Sequence, residues 1–351
     1  MDEALAMLCR ELQALTPTQV PLADALHCIA ADMPLSAPLP PRDMAARDGW
    51  AFTAIHLVGA SSYSPLPLTA APCWVENGEP MPEGCDCVLD DDAVDASGPL
   101  VQVVSEAIPG QGVRRAGSDV AAGRSVIAVG HPIRALDQMH AQAAGFATLC
   151  VRRPRLRLTN MSTIADNDLT ASMIGNLARA EGATVSQGDA AYLTADACNL
   201  LITIGGTGVG RSDAAITALA ERGAVLAHGL SLLPGRTTAV GSMGDTPVIA
   251  LPGRLDHALA GWWTLALPAL DVLTGRVRRP IRRLPMAQKI ASAVGVCEIA
   301  LLRQTASGWL PLAVGDLSLD AIADADAWRA IPAESEGFAA GAPVDAYVLK
   351  A

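Results

Sequence analysis

From Arg155 to Leu273 short apolar runs alternate with stretches of helical spacing, and this alternation restricts the fold more than any other feature of the chain. The pattern predicts a strand at Leu156–Thr159, a helix at Leu169–Glu181 and a strand at Ala183–Ser186. A short helix and the buried run Leu200-Leu201-Ile202-Thr203-Ile204 follow. Next comes a helix from Ser212 to Arg222, closed by Gly223. Val248-Ile249-Ala250-Leu251 is another buried strand, ahead of a long helix that starts near Leu255. Strands apolar on both faces, with helices between them, imply a parallel or mixed sheet covered on both sides.

The flanking regions read differently. Residues 3–16 and 21–32 have helical spacing, and Pro34, Pro38, Pro40 and Pro41 then force an extended linker. From Trp50 to near Ile127 the chain is a series of short apolar runs cut by Gly and Pro, which predicts a β-rich domain. Residues 133–150 return to helical period. Arg276 to Arg283 is a basic, Pro-containing boundary, and the last ~70 residues, enough for an appended module, are short strands around Gly and Pro. The expected division is a helical and linker domain (residues 1–42 and 121–152), a β-rich domain (43–120), an α/β domain (153–278) and a C-terminal β module (279–351).

Charge and composition exclude several functions. A net charge of −11 argues against a nucleic-acid binder, which needs a basic footprint. Ala258 to Leu273 is the most apolar stretch, yet Gly261, Pro268 and Asp271 interrupt it, so it reads as a core helix rather than a membrane span. The acidic start Met1-Asp2-Glu3 does not resemble a signal peptide, and a cytoplasmic location is expected. Of the eight cysteines only Cys85 and Cys87 are close in sequence, a poor zinc signature, so buried free thiols are expected.

Four segments carry residues suited to chemistry. Ile204 to Asp213 reads Ile-Gly-Gly-Thr-Gly-Val-Gly-Arg-Ser-Asp. Its glycines let backbone approach a ligand closely, and Ser212 is placed to cap a helix whose first N–H groups favour an anion such as phosphate. The segment follows an expected sheet strand, at the end where α/β proteins bind ligands. A tight turn with Ser212 and Asp213 as ordinary first-turn residues explains the same letters. The residues alone leave both readings open. The segment is neither a Gly-Lys-Ser/Thr phosphate loop nor a G-x-G-x-x-G loop.

Pro234-Gly235-Arg236 and Pro252-Gly253-Arg254 are tight turns, each carrying a guanidinium that can fork onto an oxyanion, though such turns are common on surfaces. Arg42 to Trp50 places Asp43 and Asp48 in a loop, as candidate base or metal ligand or as solvated charge. Arg114-Arg115-Ala116-Gly117-Ser118-Asp119 by itself reads as a surface cluster of charges.

Taken in order, these segments resemble the molybdopterin molybdotransferase family (MoeA, or the gephyrin E-domain). Pro40-Pro41-Arg42-Asp43-Met44-Ala45-Ala46-Arg47-Asp48-Gly49-Trp50-Ala51 is similar to the family's P-P-F-D-x-S-x-M-D-G-Y-A. Asn77-Gly78-Glu79-Pro80-Met81-Pro82-Glu83-Gly84-Cys85-Asp86 resembles T-G-A-P-x-P-x-G-A-D, and Arg114 to Asp119 resembles R-R-x-G-E-D. Gly205 to Asp213 resembles G-G-x-S-V-G-x-x-D, and the two Pro-Gly turns resemble P-G-K-P and L-P-G-N-P. Asp326-Ala327-Trp328 through Pro343-Val344 is similar to the family's C-terminal barrel.

The resemblance implies an elongated homodimer of four parts: a three-layer α/β (MogA-like) domain, a β-rich domain, a helical linker domain and a small β-barrel. It implies binding of molybdopterin, or its adenylylated form, with Mg²⁺ and molybdate, and a transferase reaction that inserts molybdate into the dithiolene. Site residues implied are Gly205, Gly206, Thr207, Gly208, Ser212, Pro234, Gly235, Arg236, Pro252, Gly253 and Arg114 for the cofactor. Asp48, Asp119 and Asp213 are implied for catalysis, with Asp213 also on the metal. Partners implied are the pterin, molybdate, a second copy and other cofactor-pathway proteins or a molybdoenzyme. The chain departs from the family where S-T-G-D-E-L shrinks to Ser162-Thr163-Ile164-Ala165, and where Leu233, Arg236 and Leu301 stand in place of two lysines and an arginine. These departures keep a second role open, a cofactor-binding chaperone with impaired insertion.

Overall fold

The computed structural model describes residues 1–161, 165–188, 190, 193–211 and 213–350. It divides into two units. One comprises Met1–Asp32, Ile127–Gln138 and Thr148–Ala351, the other Met33–Val126 and Met139–Ala147.

The larger unit is organised around a six-stranded sheet. Its strands are β1 (Arg155–Asn160), β2 (Thr184–Gly188), β3 (Leu200–Ile204), β4 (Ala224–His228), β5 (Ala239–Met243) and β6 (Thr246–Leu251). The spatial order is β2-β1-β3-β6-β5-β4, with the first four parallel and the last two antiparallel. β3 is buried along its whole length, as expected of a strand covered on both faces.

Helix α1 (Asp2–Cys9) opens the chain, and α2 is Ala135–Ala143. Helices α3 (Ala165–Ala180), α4 (Ala215–Arg222), α5 (Leu255–Gly261) and α6 (Leu267–Thr274) belong to the α/β region. A π-helical turn, Trp262–Ala266, joins α5 to α6. One side of the sheet, through Leu158, Ile202, Ile204 and Ile249, packs with Ile174 of α3, Leu259, Trp262 and Leu270. The other side, through Leu201 and Val248, packs with Leu219 of α4 and Leu193. Each fully buried Leu or Ile contributes about 1.5–3 kcal/mol, so these two layers anchor the unit. α6 ends at Gly275, whose φ of 64° is left-handed and returns its N–H to the last turn.

Beyond α6 the chain is clasped before it enters the next sheet. Arg279 bonds Glu181 (2.9 Å) and Asp271 (2.8 Å), and Arg276 also bonds Glu181. Then come β7 (Ile281–Pro285), β8 (Cys297–Thr305), β9 (Gly308–Val314), helix α7 (Leu319–Asp324), β10 (Ala327–Ile331) and β11 (Pro343–Val348). The order β9-β8-β10-β11-β7 is antiparallel, and a bridge from Met286 to Trp309 brings the end of β7 back to β9. The sheet thus curls on itself around Leu302, Trp309, Ala327 and Val344, a small barrel.

The smaller unit is built of short antiparallel sheets. Gly49–Phe52 runs between Cys73–Val75 and Cys87–Leu89, and Gln102–Ser105 runs between Ser61–Pro67 and Val94–Asp95. Met44–Ala45 pairs with Val113–Arg114. The chain therefore combines a three-layer α/β region with β-rich and barrel parts.

Several local expectations are corrected. Residues 21–32 are not a helix: Thr18–Pro21 and Ile29–Ala30 are strands flanking Thr148–Arg152, with one 3₁₀ turn, Leu22–Asp24, between them. Distant pairing outweighs helical spacing there. The first helix ends at Cys9 rather than 16, because the chain unwinds and the Leu15 N–H bonds the Leu273 carbonyl. The helix expected over 133–150 stops at Ala143, since Thr148–Arg152 is a strand. The helix expected from Ser212 begins at Ala215, with Ala214 at its N-cap. The short helix expected ahead of β3 falls partly outside the described residues. Cys73 is an exposed thiol rather than a buried one. Among the described residues no helix is long and apolar enough to cross a membrane.

Candidate functional site

At the carboxyl ends of β1, β3 and β6 three loops come together. The Gly205 N–H bonds the Leu251 carbonyl (2.9 Å), so the glycine-rich loop and the Pro252–Arg254 turn start side by side. Thr170 of α3 donates to the Gly253 carbonyl (2.7 Å), which brings in the segment after β1. Asn160 at the end of β1 bonds Asp168 (2.6 Å).

The glycine-rich loop has the backbone its sequence requires. Gly205 and Gly206 have φ of 81° and 68°, a region hostile to side chains. The Gly206 carbonyl accepts the Ala215 N–H (2.9 Å), which sets the start of α4. Asp213 folds back: its Oδ2 accepts the Gly210 N–H (2.7 Å), and a Cβ on Gly208 would stand 2.6 Å from the same oxygen. Asp213 therefore braces the loop from within. Ser212, expected as a cap, lies outside the described residues.

Thr207 ties this loop to the second expected segment. Its hydroxyl lies 3.0 Å from the Thr237 hydroxyl, and its carbonyl lies 3.0 Å from His228 Nε2. Thr207 is buried, Pro234 and Gly235 are buried, and Arg236 is exposed beside Thr237. Gly235 has φ of 114°, and a Cβ there would sit 3.0 Å from the His257 carbonyl, so the turn needs glycine. The structure thus gathers Gly205, Gly206, Thr207, Gly208, Pro234, Gly235, Arg236, Pro252 and Gly253 at one edge of one sheet. His228, Thr237 and Thr170 were missed in the sequence. Their partners are a backbone carbonyl, a distant hydroxyl and a turn, none of which leaves a spacing signal.

Arg254 turns the other way. It bonds Asp256 (3.0 Å), a buried carboxylate. A 420 Å³ cavity separates the Arg254–Asp256 stretch from Leu312–Leu319 of the barrel, with Asp316 and Ser318 on its far wall. Burial lowers the pKa of neighbouring His257 in spite of Asp256. Leu233 faces Glu298 in register, and Leu301 is in the core opposite Trp328. Neither position supplies the cation that the resemblance leads one to expect. Among the described residues no three His, Cys, Asp or Glu converge to hold a metal ion, and Asp213 is engaged with its own loop. Among the described residues, Asp213 and its neighbours do not by themselves make a closed ligand set for Mg²⁺.

In the smaller unit the other expected residues have local roles. Asp48 Oδ1 accepts the Asn77 N–H (2.7 Å), and Asp43 Oδ1 accepts the Ala116 N–H (2.8 Å). Arg114 pairs with Asp119, whose N–H bonds the Leu39 carbonyl. Asp48 and Asp119 are thus held by different partners, each closing a loop. A side chain at Gly49 would collide with the Leu89 carbonyl oxygen, which explains the glycine after Asp48.

Comparison with known proteins finds two family regions along the chain. Residues 1–145 match the MoeA N-terminal region (domain I and II), and residues 170–272 match a probable molybdopterin binding domain. A molybdopterin molybdenumtransferase 2 of Mycobacterium tuberculosis is 27% identical over 325 residues, covering 78% of this chain and 80% of the relative. A putative molybdopterin biosynthesis protein of Methanocaldococcus jannaschii is 26% identical over 387 residues, covering 95% and 92%. The crystal structure of a molybdopterin biosynthesis MoeA protein from Pyrococcus horikoshii shares the fold, with a TM-score of 0.73, 20% identity and coverage of 99% and 98%. The chain belongs to the molybdopterin molybdotransferase (MoeA) family, as a divergent member.

Proposed function

We propose that this protein acts in molybdenum cofactor biosynthesis as a molybdopterin molybdotransferase with an altered site. It binds molybdopterin, or the adenylylated form, at the carboxyl edge of the six-stranded sheet. The observation that carries the reading is the Thr207–Thr237 contact, which fixes the glycine-rich backbone against the turn that bears Arg236. Backbone N–H groups at the loop and the start of α4 suit a phosphate. Arg236 adds a charge that can bond it bidentately. Molybdate is a substrate here, a small dianion that needs side-chain cations and hydroxyls, and Mg²⁺ is expected to arrive with the ligand's phosphates. We place the protein in the cytoplasm as a homodimer, with a molybdoenzyme or another pathway protein as recipient.

The four-part domain division is part of the same proposal. So are the roles given to Asp48, Asp119 and Arg114 in catalysis and ligand binding.

A second reading is a pterin-binding chaperone with little insertion of its own. Leu233 and Leu301 favour it, since neither can bond an oxyanion. One experiment separates the two: incubate purified protein with molybdopterin or its adenylylated form, Mg²⁺ and molybdate, then measure bound pterin and metallated pterin. Binding with metallation supports the transferase. Binding without it supports the chaperone. Absence of binding, or binding that survives Gly206→Val, overturns the proposed site.

A further inference from the structure

Among the described residues, the α4 face of the sheet carries buried polar groups without a hydrogen-bond partner. Leu156 and Leu158 of β1 pack in the core on the α3 side, so Arg157 and Thr159 alternate to the opposite face. Leu201 of β3 packs against Leu219 of α4, and Thr203, two residues on, shares that face. Thr159 and Thr203 are direct partners in the parallel register. They are 0% and 2% exposed. Among the described residues, neither hydroxyl has a hydrogen-bond partner, and neither does the buried Nε of Arg157. The next strand contributes Gly188, paired with Thr159. A Cβ there would stand 2.6 Å from the Thr159 hydroxyl and 2.7 Å from Arg157 Nε, so the glycine spares both groups a collision.

Buried polar groups nearly always find partners, and a row of three without them is costly to the folded protein. Valine would fill each threonine's space without that cost. The row lies one step below the point where β3 passes into the glycine-rich loop, at the ligand-binding edge of the sheet. We propose that Arg157, Thr159 and Thr203 form a second anchor for the bound pterin compound, separate from the loop, that receives acceptor oxygens of the ligand. This rests on the reading that the loop binds molybdopterin. A guanidinium N–H and two hydroxyls suit either a ring carbonyl or a phosphate oxygen.

The test uses the full chain, with Thr159→Val and Thr203→Val made singly and together. Each is titrated separately with pterin lacking phosphate and with inorganic phosphate, and thermal unfolding is recorded without ligand. The expected result is binding at least ~10-fold weaker for one probe, the loss of about one hydrogen bond to a charged or polar partner. The unfolding midpoint should stay level or rise, because an unsatisfied hydroxyl has been removed. Loss in the pterin arm assigns the row to the ring, and loss in the phosphate arm to a phosphate. Thr203→Ser keeps the hydroxyl and should retain wild-type binding, which guards against a packing artefact. Wild-type protein that binds while both valine variants bind within twofold of it overturns the second anchor alone. Wild-type protein that binds neither probe overturns the underlying reading.

Discussion

The hydroxyls of Thr207 and Thr237 lie 3.0 Å apart across 30 residues of chain. Thr207 is buried in a loop without a single large apolar anchor, so its side chain and its carbonyl contact with His228 fix where the loop sits. Holding a cradle in place before the ligand arrives lowers the ordering cost of binding.

Thr207→Val should therefore weaken molybdopterin binding more than it weakens folding. The net contribution of such a bond is about 0.5–1.5 kcal/mol, or roughly 2- to 12-fold in affinity. Thr237→Val should act through the same contact, so the double variant should lose little more than either single one. Calorimetric titration of all four proteins in a double-mutant cycle measures the coupling. Additive losses would show that the two hydroxyls act independently.

The β3 strand and its loop were legible because four apolar residues and one threonine in a row, followed by Gly-Gly, read as a buried strand and a turn. The core helix was legible for the same reason: Ala258 to Leu273 had to be buried somewhere. Residues 21–32 were not, since Leu22, Ala25 and Ile29 fit a helical period equally well and only the distant strand Thr148–Arg152 decides. Asp213 was picked out as a carboxylate near a ligand, and sequence could not show that its oxygen folds back onto Gly210. His228 was one of six scattered histidines, and nothing nearby marks it as the partner of a carbonyl 21 residues earlier.

Gly49→Ala should unfold the smaller unit's central sheet. The added methyl would collide with the Leu89 carbonyl oxygen on the neighbouring strand, and backbone cannot step aside as a flexible side chain can. A loss above about 3 kcal/mol is expected, in the range of severe overpacking. Denaturant unfolding followed by Trp50 and Trp74 fluorescence checks it, and a shift under ~1 kcal/mol would contradict the packing described.

The Arg276–Arg279 clasp predicts a stability change with a defined sign in pH. Burial raises the Asp271 pKa, more than Arg279 offsets, so this carboxyl contributes stability when protonated and loses it as pH rises through its raised folded pKa. Burial works against the charge on Arg279, but Glu181 and Asp271 outweigh it and raise its pKa, so the favourable part of the network runs through Arg279 and Glu181. Asp271→Asn should accordingly compare better with wild type at pH 7 than at pH 4. Arg279→Met leaves two half-buried carboxylates with Arg276 alone and should cost about 3 kcal/mol at pH 7. Urea unfolding at the two pH values measures both, and a wider Asp271→Asn deficit at pH 7 would contradict the first.

The last prediction concerns molybdate, and it rests on the proposed transferase reading. Pterin binding draws mainly on backbone geometry, which is intact at Gly205 and Gly206. Molybdate needs cationic side chains, and here the two leucines differ in what repair they allow. Leu301 is fully buried opposite Trp328, so Leu301→Arg would place an unpaired charge in the core and should abolish soluble folding. Leu233 is only half-buried, so a lysine there can extend its ammonium toward solvent instead of burying it. Arg254 cannot readily substitute, because it is bonded to Asp256. Wild-type protein should therefore bind pterin but metallate it slowly at low molybdate. Leu233→Lys should restore one charge-assisted contact of about 1.5–3 kcal/mol and raise metallation at limiting molybdate roughly tenfold or more. The measurement is metallated pterin formed per minute across a molybdate titration, with bound pterin quantified in the same samples. Fast wild-type metallation at low molybdate, unchanged by Leu233→Lys, would mean that the dianion is held by residues other than those at the Pro234–Arg236 turn.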